Sequence, residues 1–126
     1  MTSDDLDALT AALFRAFEDG DFDTAEAMLA PGATIIQNGN AMSWAEARPM
    51  LEGLRPVMGA PRYGDVRRTI AGDTVVEEHT VASSTPGGAE IVLHAAVAIR
   101  FDDDGLITSV DEYVDPTPLM NALRTA

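Results

Sequence analysis

Cysteine and lysine are both absent from the 126 residues. Without cysteine there is no disulfide, no thiolate nucleophile and no thiol ligand for a metal. Without lysine there is no Schiff-base chemistry. All eight basic residues are arginine: Arg15, Arg48, Arg55, Arg62, Arg67, Arg68, Arg100 and Arg124. The two histidines, His79 and His94, are too few for a three-histidine zinc site, and no metal is expected. No apolar run approaches the roughly 20 residues of a membrane span. Positive charge is scarce: eight basic residues against 21 acidic ones leave a net charge of −13 and a pI near 4.2. Nucleic acid and anionic membrane surfaces both repel a polyanion, so neither is expected as a partner. The start, MTSDDLDAL, is acidic, with no basic segment ahead of an apolar core. It does not read as a signal peptide, and the expected location is the cytoplasm.

What is present suits one domain over residues 1–126, built on one core. The segment SDDLDALTAALFRAFEDGD reads as an amphipathic helix with Leu6, Leu9, Leu13 and Phe17 at helical spacing and Phe14 widening the stripe. Ser3 is the expected cap, Asp4 and Asp5 suit the helix dipole, and Gly20 ends the helix. A second short helix, DFDTAEAMLA, starts at Asp21 and is expected to stop at Ala30-Pro31-Gly32. A short strand, ATIIQNG, closes on Asn38-Gly39, a turn signal. Ser43 and Glu46 form a capping box for a third helix, expected to restart or kink at Pro49 and to end before Pro56. From Arg62 the period becomes two. Strands are expected over about 62–71, 74–84, 89–101 and 106–115, joined at Gly72-Asp73, Pro86-Gly87-Gly88 and Asp103-Asp104-Gly105. The segment PTPLMNALRTA reads as a turn or two of helix. Helices gathered before an antiparallel meander give an α+β architecture.

The order of these pieces, with FEDGDFDTAEAMLAPGATI near one end and FDDDGLITSVDEYVDPTPLMNAL near the other, resembles the nuclear transport factor 2-like superfamily in its SnoaL-like branch. The resemblance implies a cone-shaped fold: helices packed in a curved, mainly antiparallel mixed sheet around a deep apolar pocket. It also implies a homodimer formed through the sheet. It does not imply one reaction, because members include isomerases, epoxide hydrolases, cyclases and binding domains. The ketosteroid isomerase roles would fall on Gln37 or Asn38, on Leu13 and near Val97, and none of these is the residue required. The limonene epoxide hydrolase roles would fall on Asn38, on Glu112, on Glu78 or His79 for the arginine, and on Thr80 or Val81 for the first aspartate. Ile36 stands where that enzyme group has a tyrosine. A carboxylate and an asparagine match; the relay of acid and arginine does not.

The residues themselves point to Glu112. In LITSVDEYVDP it alternates onto the face of Leu106, Val110 and Val114. A carboxylate turned toward an apolar hollow is suited to acid or base work. In the strand 74–84, Val76, Glu78, Thr80 and Ala82 share one face, and Val75, Glu77, His79 and Val81 the other. The pattern leaves open which face is inside, so Glu78 and His79 are both candidates to work with Glu112. Asn38, Trp44, Tyr63, Phe14, Phe17, Leu93 and Val110 are the candidate ligand contacts. Met28, Met50 and Met58 are further residues that could line the hollow. His94 and Tyr113 read as outer-face residues. The loop DDDG at 102–105 lacks the remaining ligands of a calcium loop and reads as a turn. The expected ligand is a small apolar molecule, handled without a cofactor, by an enzyme or by a binding module.

Overall fold

The computed structural model describes residues 1–125. Helix α1 (Ser3–Asp19) starts from a capping box in which the Thr2 hydroxyl accepts the Asp5 amide at 3.1 Å and the Asp5 carboxylate accepts the Thr2 amide at 2.9 Å. Thr2 caps the helix where Ser3 was expected. The box needs an acidic or amide side chain three residues on, which Thr2 finds in Asp5, whereas Ser3 would meet Leu6. Gly20, at φ 68°, ends α1 as expected, and Asp21 caps α2 (Phe22–Ala27) by accepting from the Thr24 amide at 3.1 Å.

Strand β1 (Leu29–Gln37) begins earlier than the sequence suggests. Ala30-Pro31-Gly32 lies inside it rather than ending α2. The last strand captures this segment, with the Ile107 amide donating to the Met28 carbonyl at 2.9 Å. Pro31 is tolerated because the pairing is irregular between Leu29 and Thr34. Asn38 and Gly39, at φ 48° and 85°, make a two-residue hairpin to a short strand that the sequence did not announce, β2 (Asn40–Ser43).

The Ser43–Glu46 capping box opens α3 (Trp44–Met58), which runs unbroken through Pro49 and Pro56. Each proline removes one amide and frees the carbonyl four residues back, Ala45 and Glu52. The two prolines are seven residues apart, and both they and those residues lie on the exposed side, where water takes the bonds the helix loses. The meander follows as β3 (Arg62–Ala71), β4 (Thr74–Ser84), β5 (Glu90–Phe101) and β6 (Ile107–Val114), within a residue of expectation at every boundary. Helix α4 (Thr117–Thr125) ends the described chain.

The six strands form one curved, unclosed sheet in the order β2-β1-β6-β5-β4-β3. Only β1 and β6 run parallel. On β5, Ile91, Leu93, Ala95, Val97, Ile99 and Phe101 all face inward and are buried. Val97, Ile99 and Phe101 share one core with Leu6, Leu13, Phe14 and Ala16 of α1. Among the described residues, no helix is long and apolar enough to cross a membrane.

The end of α3 is pinned by its glycine. Gly59 sits at φ 86°, and a Cβ there would lie 2.1 Å from the Ser84 carbonyl oxygen. Gly59→Ala is expected to cost about 2–4 kcal/mol in urea unfolding, from positive φ and a backbone clash together. Gly53, inside α3 with open space around it, is the control. Gly53→Ala is expected to gain about 0.5–1 kcal/mol.

Candidate functional site

Between the concave sheet face and the helices lies a hollow of about 210 Å3. Val81, Leu93, Val97 and Val110 form its floor, and Phe14, Phe17, Leu51, Leu54 and Met58 its roof. Four polar side chains also reach its wall: Gln37, Arg55, Tyr63 and Glu112. Arg55 is already committed. Its guanidinium donates to the Phe17 and Glu18 carbonyls, both at 2.9 Å, and so caps the end of α1. Gly20 leaves room for it, since a Cβ there would sit 2.8 Å from the guanidinium.

The sheet register draws a polar row across the floor. Arg68 of β3 faces Glu77 of β4, Glu77 faces Val97 of β5, Val97 faces Glu112 of β6, and Glu112 faces Gln37 of β1. The two glutamates are two strand spacings apart, roughly 10 Å between Cα atoms. Glu112 is half-buried, and one of its carboxylate oxygens accepts from the Gln37 side-chain amide at 2.9 Å. Glu77 is wholly buried. Its Oε1 accepts from Arg68 Nε at 2.6 Å, and its Oε2 lies 2.5 Å from His79 Nδ1. Because the carboxylate already accepts from Arg68, the network assigns the His79 proton to Nδ1. Arg68 in turn reaches Asp7 of α1 at 3.2 Å. The His79 ring packs against Phe14 at 4.9 Å and Tyr63 at 4.8 Å between centroids. Its Nε2 is buried and has no partner among the described residues. Leaving such an atom unpaired costs about 1–3 kcal/mol.

A bulge makes this cluster possible. Tyr63 and Arg68 are five residues apart, so plain alternation would send them to opposite faces. Between the pairs Gly64–Thr80 and Arg67–Glu78, β3 has two residues, Asp65 and Val66, where β4 has only His79. The extra residue, with Asp65 at φ 50°, restores parity. Both Tyr63 and Arg68 then turn inward beside His79.

The structure thus settles which face of β4 is inside. Val75, Glu77, His79 and Ser83 are buried. Glu78 lies on the outer face, 3.4 Å from Arg67, and is not brought to the hollow. Of the candidate ligand contacts, Phe14, Phe17, Tyr63, Leu93 and Val110 line the hollow, and so does Met58. Asn38 does not: its side chain is spent on the Val114 backbone, donating at 2.8 Å and accepting at 3.0 Å, which clips the β1–β2 turn to β6. Nor does Trp44, whose Nε1 donates to Glu26 at 2.8 Å while its ring packs on the core. Met28 also packs on the core, and Met50 is exposed. His94 and Tyr113 are exposed, on the outer face. Sequence reasoning passed over Glu77, Arg68, Gln37 and Arg55. The first two were findable, because a two-residue Gly72-Asp73 turn fixes Arg68 opposite Glu77.

A second, larger depression of about 430 Å3 lies near Met1, Leu6, Asp73 and Asp102. It is walled by turns, and one Asp102 oxygen is spent on the amides of Asp104 and Leu106. It gathers no acid–base pair, so the smaller hollow is the candidate site.

A sequence model of the SnoaL-like domain matches residues 10–110. No curated protein matches the chain. Among solved structures, the chain is similar to AclR, a candidate hydroxylase from Streptomyces galilaeus, with TM-score 0.87 and 18% identity over 99% of this chain and 84% of that one. It is similar to a candidate polyketide cyclase from Xanthomonas campestris, with TM-score 0.83 and 22% identity over 95% and 97% of the two chains. It is also similar to an LEH-like epoxide hydrolase from M. tuberculosis, with TM-score 0.76 and 20% identity over 96% and 90%. At these identities the likeness speaks for the fold.

Burial pushes the Tyr63 phenol well above its ordinary value, and the negative charges of Glu112, Glu18 and Glu77 push the same way. The folded chain therefore keeps a proton that the unfolded chain releases above about pH 10. Stability contributed by Tyr63 is whole below that pH and is lost as pH rises beyond it. In a 295 nm absorbance titration Tyr63→Phe is expected to remove a late-ionising step. It is also expected to flatten the loss of stability above pH 10.

Proposed function

Since the chain belongs to the SnoaL-like domain family, we propose that its hollow takes up a small apolar molecule and that Glu112 moves a proton there, without a cofactor. One observation carries this reading: a carboxylate held by Gln37 stands in a wall that is otherwise almost all apolar. Isomerase, hydrolase and cyclase chemistry all fit such a group, because each needs a base that can take a proton from carbon or from water. Tyr63, kept protonated by its surroundings, is available as a hydrogen-bond donor on the same wall. A second reading is a binding module without chemistry. It is favoured by apolar Val81, which lies in the floor at a position where the resemblance to limonene epoxide hydrolases asks for an acid.

The test uses N-phenyl-1-naphthylamine as a fluorescent probe and a panel of small ketones, epoxides and alcohols as competitors. Wild type and Glu112→Gln are expected to bind the same competitors within a few-fold. Turnover of the bound compounds is expected to fall about 100-fold or more in Glu112→Gln, the usual worth of a positioned base. Equal turnover in both proteins, or none in either, would leave only the binding module standing.

The same reading includes a homodimer through the outer sheet face. Val76, Val92 and Tyr113 are exposed there, and Asp111 on that face has one oxygen shut from water without a partner among the described residues. Sedimentation equilibrium is expected to give twice the chain mass for wild type and a shift toward monomer for Val92→Asp. A monomeric wild type would end the dimer proposal.

A further inference from the structure

The Glu112 reading leaves the other polar group of the floor unused. His79 has its side chain wholly buried, Nδ1 fixed on Glu77, and Nε2 without a partner among the described residues. The two ring nitrogens lie on different edges, so the edge bearing Nε2 turns away from Glu77. Phe14 and Tyr63 pack on the His79 ring, and Val81 is the next inward residue of β4. All three line the hollow, and His79 lies directly behind them without lining it itself. An orphaned polar atom behind a ligand cavity is a subsite waiting for its partner.

Resting on the reading of the hollow as a ligand site, we propose that His79 Nε2 is a hydrogen-bond acceptor for a hydroxyl group on the bound molecule, held in that tautomer by Glu77. The chemistry of the ligand follows from the tautomer. Arg68 already balances the charge of Glu77, so nothing there calls for a second buried cation; a ring with its one proton on Nδ1 offers a lone pair at Nε2 and nothing to donate. A carbonyl or ether oxygen gains nothing from it, and a hydroxyl does. The ligand class is therefore a small apolar alcohol or phenol, with its hydroxyl at the His79 end and its body over Val97 toward Glu112. Arg68 and Asp7 act through Glu77 as positioning residues: they fix the carboxylate that fixes the ring. A ligand reaches Nε2 past Phe14 and Tyr63, which line the hollow and pack on the ring.

The experiment compares 4-ethylphenol with its methyl ether, 4-ethylanisole, which differs only in lacking the donor. Wild type is expected to bind the phenol about tenfold tighter, the size of one made or unmade buried hydrogen bond. The preference is expected to vanish in His79→Phe and to survive in Glu112→Gln. The side-chain 15N resonance of His79 Nε2 in wild type is expected to move on adding the phenol and to stay on adding the ether. That measurement holds even if His79→Phe does not fold. Equal binding of phenol and ether, or a preference lost in Glu112→Gln and kept in His79→Phe, would overturn the His79 subsite while leaving the hollow a ligand site. Binding of neither compound would overturn both.

Discussion

A carboxylate with no access to water sits on β4, one strand in from the sheet edge, and much of the architecture answers to it. Glu77 is fully buried, and a lone charge there would be ruinous. It is held by Arg68 from the next strand and by His79 from its own. The two-residue Gly72-Asp73 turn sets Arg68 opposite it, and the extra residue that β3 carries opposite His79 turns Tyr63 to the same face. Arg68 is itself steadied by Asp7, which ties α1 to the sheet edge. Phe14, one helical face along from Asp7, then lies on the His79 ring. The inner end of the hollow is thus fixed by a charge that had to be neutralised. Removing Arg68 would leave Glu77 buried with His79 as its remaining partner, which commonly costs far more than the pair contributes.

The outer end is fixed differently. Arg55 joins α3 to the last carbonyls of α1 at the cost of a glycine at position 20. Arg48 joins α3 to Asp23 and Glu26 of α2, on the surface. In a chain of net charge −13, Arg48, Arg55 and Arg68 serve as clamps between elements. Arginine suits this better than lysine, since its fork can hold two acceptors in fixed geometry, as Arg55 and Arg68 both do. The absence of lysine is consistent with that use of positive charge.

Most of the fold could be read from the sequence, because its turns are chemically explicit. Gly72-Asp73, Pro86-Gly87-Gly88 and Asp103-Asp104-Gly105 punctuate strands whose alternation is clear, above all β5. What could not be read has local reasons. Pro49 and Pro56 argue against a helix by local rules, but here the freed carbonyls face water, which lowers the cost of the lost bonds. β2 is four residues of mixed polarity and has no signal beyond its turn. The capture of Ala30-Pro31-Gly32 by β6 is a long-range pairing that no local pattern reports. The inner face of β4 was a true ambiguity. Arg67 faces Glu78 on one side and Arg68 faces Glu77 on the other, so charge pairing fits either face equally. Apolar content does not separate them either, with Val76 and Ala82 against Val75 and Val81. The choice is made by α1, which brings Phe14 and Asp7 to one side only.

That symmetry bears on how the site is to be understood. Glu112 was legible because its strand is apolar wherever it faces in, so a carboxylate stands out as a departure from pattern. Glu77 and His79 were not, because their strand is polar on both faces and no departure can be seen. Yet register puts Glu77 and Glu112 in one row, with Val97 alone between them. A molecule resting on Val97 meets a half-buried, amide-held carboxylate on one side. On the other side, behind Phe14 and Tyr63, lies the His79 imidazole, with Nε2 free of partners among the described residues. The two groups differ in access to water and in partners, and it is such differences that push acid and base roles apart. A solid core would gain from replacing both with leucine. That they stand on either side of a hollow is the strongest argument that the hollow is for something.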